Sequence, residues 1–285
     1  MVGFMGIEPT GAYRARWGEG PLWWQGGLWY VDIEGRAVIR FDPATGKETV
    51  RELGIRVGTV VPRTGGGLLV AGDGGIYFLD EQGGPLVPVA NPEPDMPDNR
   101  FNDGKCAPDG RFFGGTISLA KRTGEARLYR LDADLRLSVA YGPVTNSNGI
   151  VWSADGSTVY YIDTPRREVL AFDYVDGELR RPRVAVDTQA IEGSPDGMAI
   201  DADDHLWVAF CHGGCVRRFD PVSGREKARI DFPCVETTAC AFGGPDLGDL
   251  YVTTGVPKTQ AEEHAGRLWV ARGLGVRGQA AHPFG

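Results

Sequence analysis

The chain has 285 residues, a net charge of −8 and 42% hydrophobic residues. That length fits one all-β domain spanning residues 1–285, and the negative charge argues against nucleic acid or an anionic membrane as a partner. With 42 Gly, 19 Pro and apolar runs only four to six residues long, the pattern predicts many short strands joined by tight turns. Residues 1–10 hold neither a basic region nor a long apolar run, so the expected location is cytoplasmic, with no membrane anchor.

Residues 12–17 precede the first full unit and are expected to close the fold by joining its last part. The first unit opens on Glu19-Gly20-Pro21-Leu22-Trp23-Trp24 and continues through Leu28-Trp29-Tyr30-Val31-Asp32. A third run, Val38-Ile39-Arg40-Phe41-Asp42-Pro43, ends in a turn closed by Gly46, and residues 47–53 form a fourth strand. In that turn Asp caps, Pro fixes φ and Gly takes the left-handed position. The opening phrase returns as Asp103-Gly104-Lys105-Cys106-Ala107, Asn148-Gly149-Ile150-Val151-Trp152 and Asp196-Gly197-Met198-Ala199-Ile200. In the second and sixth units the same position falls near Thr59 and Thr238. Aligned on Leu28, Leu68, Phe112, Val159, Leu206 and Leu250, the units repeat at intervals of 40, 44, 47, 47 and 44 residues. This is a propeller-blade period. Six such units of four antiparallel strands predict an all-β, six-bladed β-propeller. The last unit carries a polar insertion at 255–265.

In a propeller the first strand of each blade lines the central channel. The leading polar residues Glu19, Asp103 (beside Asn102), Asn148 and Asp196 should therefore converge on one axis. Asp-Gly and Asn-Gly are turn dipeptides, but here each precedes an apolar strand. The Gly is expected to permit close approach at a crowded axis. Two carboxylates and an amide form an oxygen site suited to one divalent cation. Ca²⁺, Mg²⁺ and Mn²⁺ fit such ligands best, with Zn²⁺ and Fe²⁺ as softer options. The odd cysteine count (Cys106, Cys211, Cys215, Cys234, Cys240) fits buried free thiols. Cys211-x3-Cys215 is read as two positions on one strand face and not as a metal site. No Gly-x-Ser-x-Gly element supports a serine esterase. The loop 91–99 either covers the channel mouth or merely connects.

Trp17-Gly18-Glu19-Gly20-Pro21, Arg100-Phe101-Asn102-Asp103-Gly104-Lys105, Ser147-Asn148-Gly149, Tyr161-Ile162-Asp163-Thr164 and Pro195-Asp196-Gly197-Met198 resemble the SMP-30/gluconolactonase/regucalcin family. So does Thr237-Thr238-Ala239-Cys240-Ala241-Phe242-Gly243-Gly244-Pro245. The resemblance covers nearly the whole chain. It implies a metal-dependent lactonase, a carboxylic ester hydrolase acting on sugar lactones such as glucono- or pentonolactones. It also implies Glu19, Asn148 and Asp196 as metal ligands, with Asp196 as the catalytic acid/base. Arg100 and Asn102 would hold sugar hydroxyls or the lactone oxygen. Asp103 joins them, or orients Asn102. Some family members carry a further substrate-binding acid after the Gly-Thr of the third blade, whereas this chain reads Gly115-Thr116-Ile117-Ser118-Leu119-Ala120-Lys121. The alternatives are a related propeller esterase or phosphotriesterase and a non-enzymatic calcium-binding propeller. The sequence sets no oligomeric state.

Overall fold

A computed structural model describes residues 6–258 and 261–285. Its described residues form six four-stranded antiparallel sheets arranged as a six-bladed β-propeller. One 3-10 turn at Thr164–Arg166 interrupts the strands. The innermost strands are Gly18–Trp24, Val57–Pro62, Asn99–Cys106, Ser147–Trp152, Ser194–Ile200 and Thr237–Gly243. Each of the first five blades uses four successive strands, the innermost leading. Apolar side chains pack between neighbouring blades. One such cluster joins Val151 and Ile162 of the fourth blade to Val208 and Phe210 of the fifth.

The repeated turn forms as its sequence dictates. Asp42 accepts from the Ala44 N–H at 2.9 Å and the Thr45 hydroxyl at 2.9 Å. Asp220 accepts likewise from the Val222 N–H at 3.0 Å and the Ser223 hydroxyl at 2.7 Å. Gly46 and Gly224 both take φ of 69°.

Ring closure differs in detail from expectation. The strand that completes the sixth blade is Gly6–Thr10, paired antiparallel to Leu268–Arg272, and not residues 12–17. The latter form the connector into the first blade, tied to the last by a Trp17–Gly255 bridge and an Ala15 N–H to Gly266 carbonyl bond of 2.9 Å. Pro9 is tolerated because Gly6–Thr10 is an outer strand, where a missing donor faces no partner. The insertion at 255–265 lies between the strands Asp249–Thr254 and Leu268–Arg272, with Thr259 and Gln260 outside the described residues, as are Met1–Met5 of the N-terminal segment.

The C-terminal tail runs beneath the ring. Gly278 bridges Asp201, and Phe284 bridges Arg63. The Gly285 N–H reaches the Gly110 carbonyl at 3.0 Å. Between these anchors, residues 279–282 line a cavity of about 90 Å³ with Trp23, Lys105, Trp152 and Phe242 from the far ends of the inner strands.

Candidate metal centre and active site

The six innermost strands share one irregularity. Each slips register against its second strand near its start: between Glu19 and Leu22, Val57 and Thr59, Phe101 and Gly104, Ser147 and Ile150, Pro195 and Met198, and Thr237 and Ala239. A β-bulge re-aims the side chain it carries. Here five of the six bulges carry Gly58, Asn102-Asp103, Asn148, Asp196 and Thr238, while in the first blade the bulge is Gly20-Pro21 and Glu19, paired with Val31, stands directly before it.

The glycines after these residues serve close approach, as expected. A Cβ on Gly149 would lie 2.6 Å from the Met198 Cβ, and one on Gly197 would lie 2.3 Å from the Ala239 Cβ. Gly58 is tighter still, since its Cβ would meet the Asn102 carbonyl oxygen at 2.1 Å. The two threonines stitch neighbouring bulges. Thr59 donates to the Gly104 carbonyl at 2.7 Å and Thr238 to the Gly18 carbonyl at 2.6 Å.

Glu19, Asp103, Asn148 and Asp196 are all buried, with 3–7% of their surface exposed. Burial pushes the Glu19 carboxyl well above its ordinary value, and the charges of Asp196 and Asp103 push it further. Asp196 is raised by burial and then by Asp103. Asp103 is also raised by burial, while Lys105 pulls it back. Three acids from blades one, three and five thus share one desolvated region. Such a group is costly unless protonated or met by a cation. Few bonds draw these carboxylates toward the charged form: Gly20 N–H to Glu19 at 3.1 Å, Gly104 N–H to Asp103 at 2.7 Å, and the Cys211 thiol beside Asp196.

Beside the acids, a polar chain crosses three blades. The Arg100 guanidinium donates to Asn102 Oδ1 at 2.8 Å. Asn102 Nδ2 donates to Asn148 Oδ1 at 3.0 Å and to the Ser147 carbonyl at 2.8 Å. Asn148 Nδ2 donates to the Thr164 hydroxyl at 2.7 Å, which donates to the Pro195 carbonyl at 2.9 Å. Asn102 is thus oriented by Arg100 and Asn148, while Asp103 accepts from Gly104. The chain fixes the Asn148 amide with its oxygen directed away from Thr164 and one lone pair still free for an ion.

Arg100 lies at the wall of a polar cavity of about 290 Å³ beneath the loop 91–99, with Arg56, Asp73 and Glu93. It is 7% exposed, and its Nε has no hydrogen-bond partner. Burial, and next the charge of Arg56, pushes its pKa down to about 10. The loop over this cavity is anchored by Glu93, which accepts from Thr116 Oγ1 at 3.0 Å, the Tyr129 hydroxyl at 2.9 Å and Asn99 Nδ2 at 3.0 Å.

Sequence reasoning gave no role to Thr164 and overlooked two residues beside Asp196. The Cys211 thiol stands in hydrogen-bonding reach of Asp196 and donates to Glu236 Oε2 at 3.1 Å. Cys211 and Cys215 are not on one strand face: they end and begin two strands, Leu206–Cys211 and Cys215–Asp220, joined by a hairpin turn. All five cysteines are free and buried.

Comparison with known proteins agrees with this architecture. The SMP-30/Gluconolactonase/LRE-like region matches residues 17–256. Regucalcin of Xenopus laevis is 37% identical over 281 residues, covering 94% of each chain. The crystal structure of a calcium-binding protein, regucalcin from Agrobacterium tumefaciens, superposes with a TM-score of 0.90 at 28% identity, covering 99% of this chain and 97% of that one. A gluconolactonase from Xanthomonas campestris superposes with a TM-score of 0.75 at 25% identity, covering 91% and 86%. Matching over this span and at this identity, the chain belongs to the SMP-30/gluconolactonase/regucalcin family.

Proposed function

We propose that the protein is a divalent-cation-dependent lactonase that opens sugar lactones to aldonic acids. The observation that carries this reading is the desolvated cluster of Glu19, Asp103 and Asp196, three acids raised by burial beside a fixed amide. The donor set fits a hard ion: Glu19, Asn148 and Asp196 would hold it through oxygen, and its charge relieves the repulsion among the acids. Related proteins described as calcium-binding and as a gluconolactonase support the same assignment.

When bound, the cation polarises the ester carbonyl and stabilises negative charge that develops on its oxygen. The chain's own groups do the rest. Asp196 takes a proton from the attacking water and returns it to the ring oxygen as the C–O bond breaks. A cation beside it lowers its basicity, so it works through placement, fixed by the bulge and the Gly197 contact. Arg100, Asn102 and Asp103 form the wall that meets the sugar hydroxyls. Arg100 offers a rigid fork of donors, and the Nη1 bond to Asn102 holds that fork in line.

The test is a metal-stripped sample assayed against pentono- and hexonolactones, with each divalent ion restored in turn. The expected result is near-zero hydrolysis without ion and recovery with a hard ion. Equal turnover without any ion refutes the mechanism, and preference for an aryl or phosphate ester over every sugar lactone replaces the substrate class.

A further inference from the structure

Among the described residues, two groups of metal-ligating side chains lie outside the acid ring, and they differ in kind. At the far end of the channel are Asp201, Asp203 and His205. The Asp201 carboxylate accepts from the N–H of Asp203 at 3.0 Å, the N–H of His205 at 3.0 Å, the Trp207 indole at 2.9 Å and Arg218 Nε at 2.7 Å. Those donors keep their protons, so this carboxylate is already spent on holding the blade together.

At the mouth are Cys211, His212 and Glu236, whose ligand atoms all lie within 4.8 Å of one another. The Cys211 thiol is 3.1 Å from Glu236 Oε2, and His212 Nδ1 is 2.7 Å from the same oxygen. The His212 backbone N–H also reaches that oxygen at 3.3 Å and keeps its proton, but the two side-chain groups become ligands once they lose theirs. The arrangement is held by backbone: Cys211 and Glu236 form a β-bridge between blades five and six, and His212 sits at φ 63° in the hairpin turn.

We propose that Cys211, His212 and Glu236 form a second cation site, one for a borderline-soft divalent ion of the zinc class. A sulfur, an imidazole nitrogen and a carboxylate oxygen are the ligand types zinc takes, with a fourth position left to water. The His212 side chain is 63% exposed and supplies the entry path, while Cys211 and Glu236 are buried. Binding releases the thiol proton to solvent. The two sites sort ions by ligand chemistry, since calcium and magnesium do not take sulfur.

The test is a cobalt(II) titration of the calcium-saturated, full-length protein, read by its thiolate-to-cobalt charge-transfer absorption. The expected result is a band that saturates at one equivalent, is displaced by zinc and is absent in Cys211→Ser. His212→Ala, a change at an exposed side chain, should weaken binding by about tenfold or more. No thiolate band in the wild type, or a band of equal strength in Cys211→Ser, overturns the proposal. Neither outcome depends on lactone turnover.

Discussion

Replacing Glu19 by Gln separates the cost of the acid cluster from its use. Glu19 is 4% exposed, and its carboxyl is raised by burial and by two neighbouring acids. A raised carboxyl binds its proton more tightly folded than unfolded. Glu19's own contribution to the stability of the metal-free protein is therefore greatest below the ordinary carboxyl range and falls as pH rises toward the folded pKa. Each unit of upward shift costs about 1.4 kcal/mol once both states are ionised, or about 3–6 °C in Tm for a chain of this size. Gln removes that cost and keeps an oxygen for the Gly20 N–H at 3.1 Å. Metal-free Glu19→Gln should thus melt higher than metal-free wild type at pH 7.5, with the gap closing toward pH 4. A cation at 100 times its Kd adds about 2.7 kcal/mol to the wild type, raising Tm by about 5–11 °C. The variant should lose most of that increment. Differential scanning calorimetry with chelator and with calcium supplies all four values. A variant that melts lower without metal and keeps the full calcium increment refutes the reasoning.

Other changes probe neighbouring parts of the site. Asp196→Asn should fold normally and lose about 10²–10⁴ in kcat toward a sugar lactone; an unaltered rate removes Asp196 from the chemistry. Thr164→Val deletes the hydroxyl that accepts from the Asn148 amide and donates to the Pro195 carbonyl and should weaken cation binding about tenfold or more by calorimetric titration. Gly197→Ala forces a Cβ to within 2.3 Å of the Ala239 Cβ, which should cost about 1–3 kcal/mol in urea unfolding and most of the turnover. Deleting residues 1–10 strips the outer strand from Leu268–Arg272 and should broaden and lower the thermal transition.

The blades were legible because each repeats a local pattern: a polar residue and a small one, an apolar strand, then an Asp-capped turn. The leading acids and amides stood out for the same reason, since the bulges that aim them are written as Glu-Gly, Asp-Gly and Asn-Gly. The closing strand was harder to read. Gly6–Thr10 is short and contains Pro9, and its partner lies more than 250 positions away. The supporting residues were hidden differently. Thr164, Cys211 and Glu236 gain their meaning from contacts between blades, and no local spacing encodes those. The Cys211–Cys215 reading failed because a turn of His212, Gly213 and Gly214 reverses the chain between them.

The tail beneath the ring gives the channel a floor. Gly278, Phe284 and Gly285 are fastened to three different blades, and the residues between them lie against the far ends of the inner strands. Any small ligand held by Glu19 and its neighbours must depart through the opening by which it arrived. Departure and the next arrival then compete for one doorway, and a crowded doorway would slow both equally.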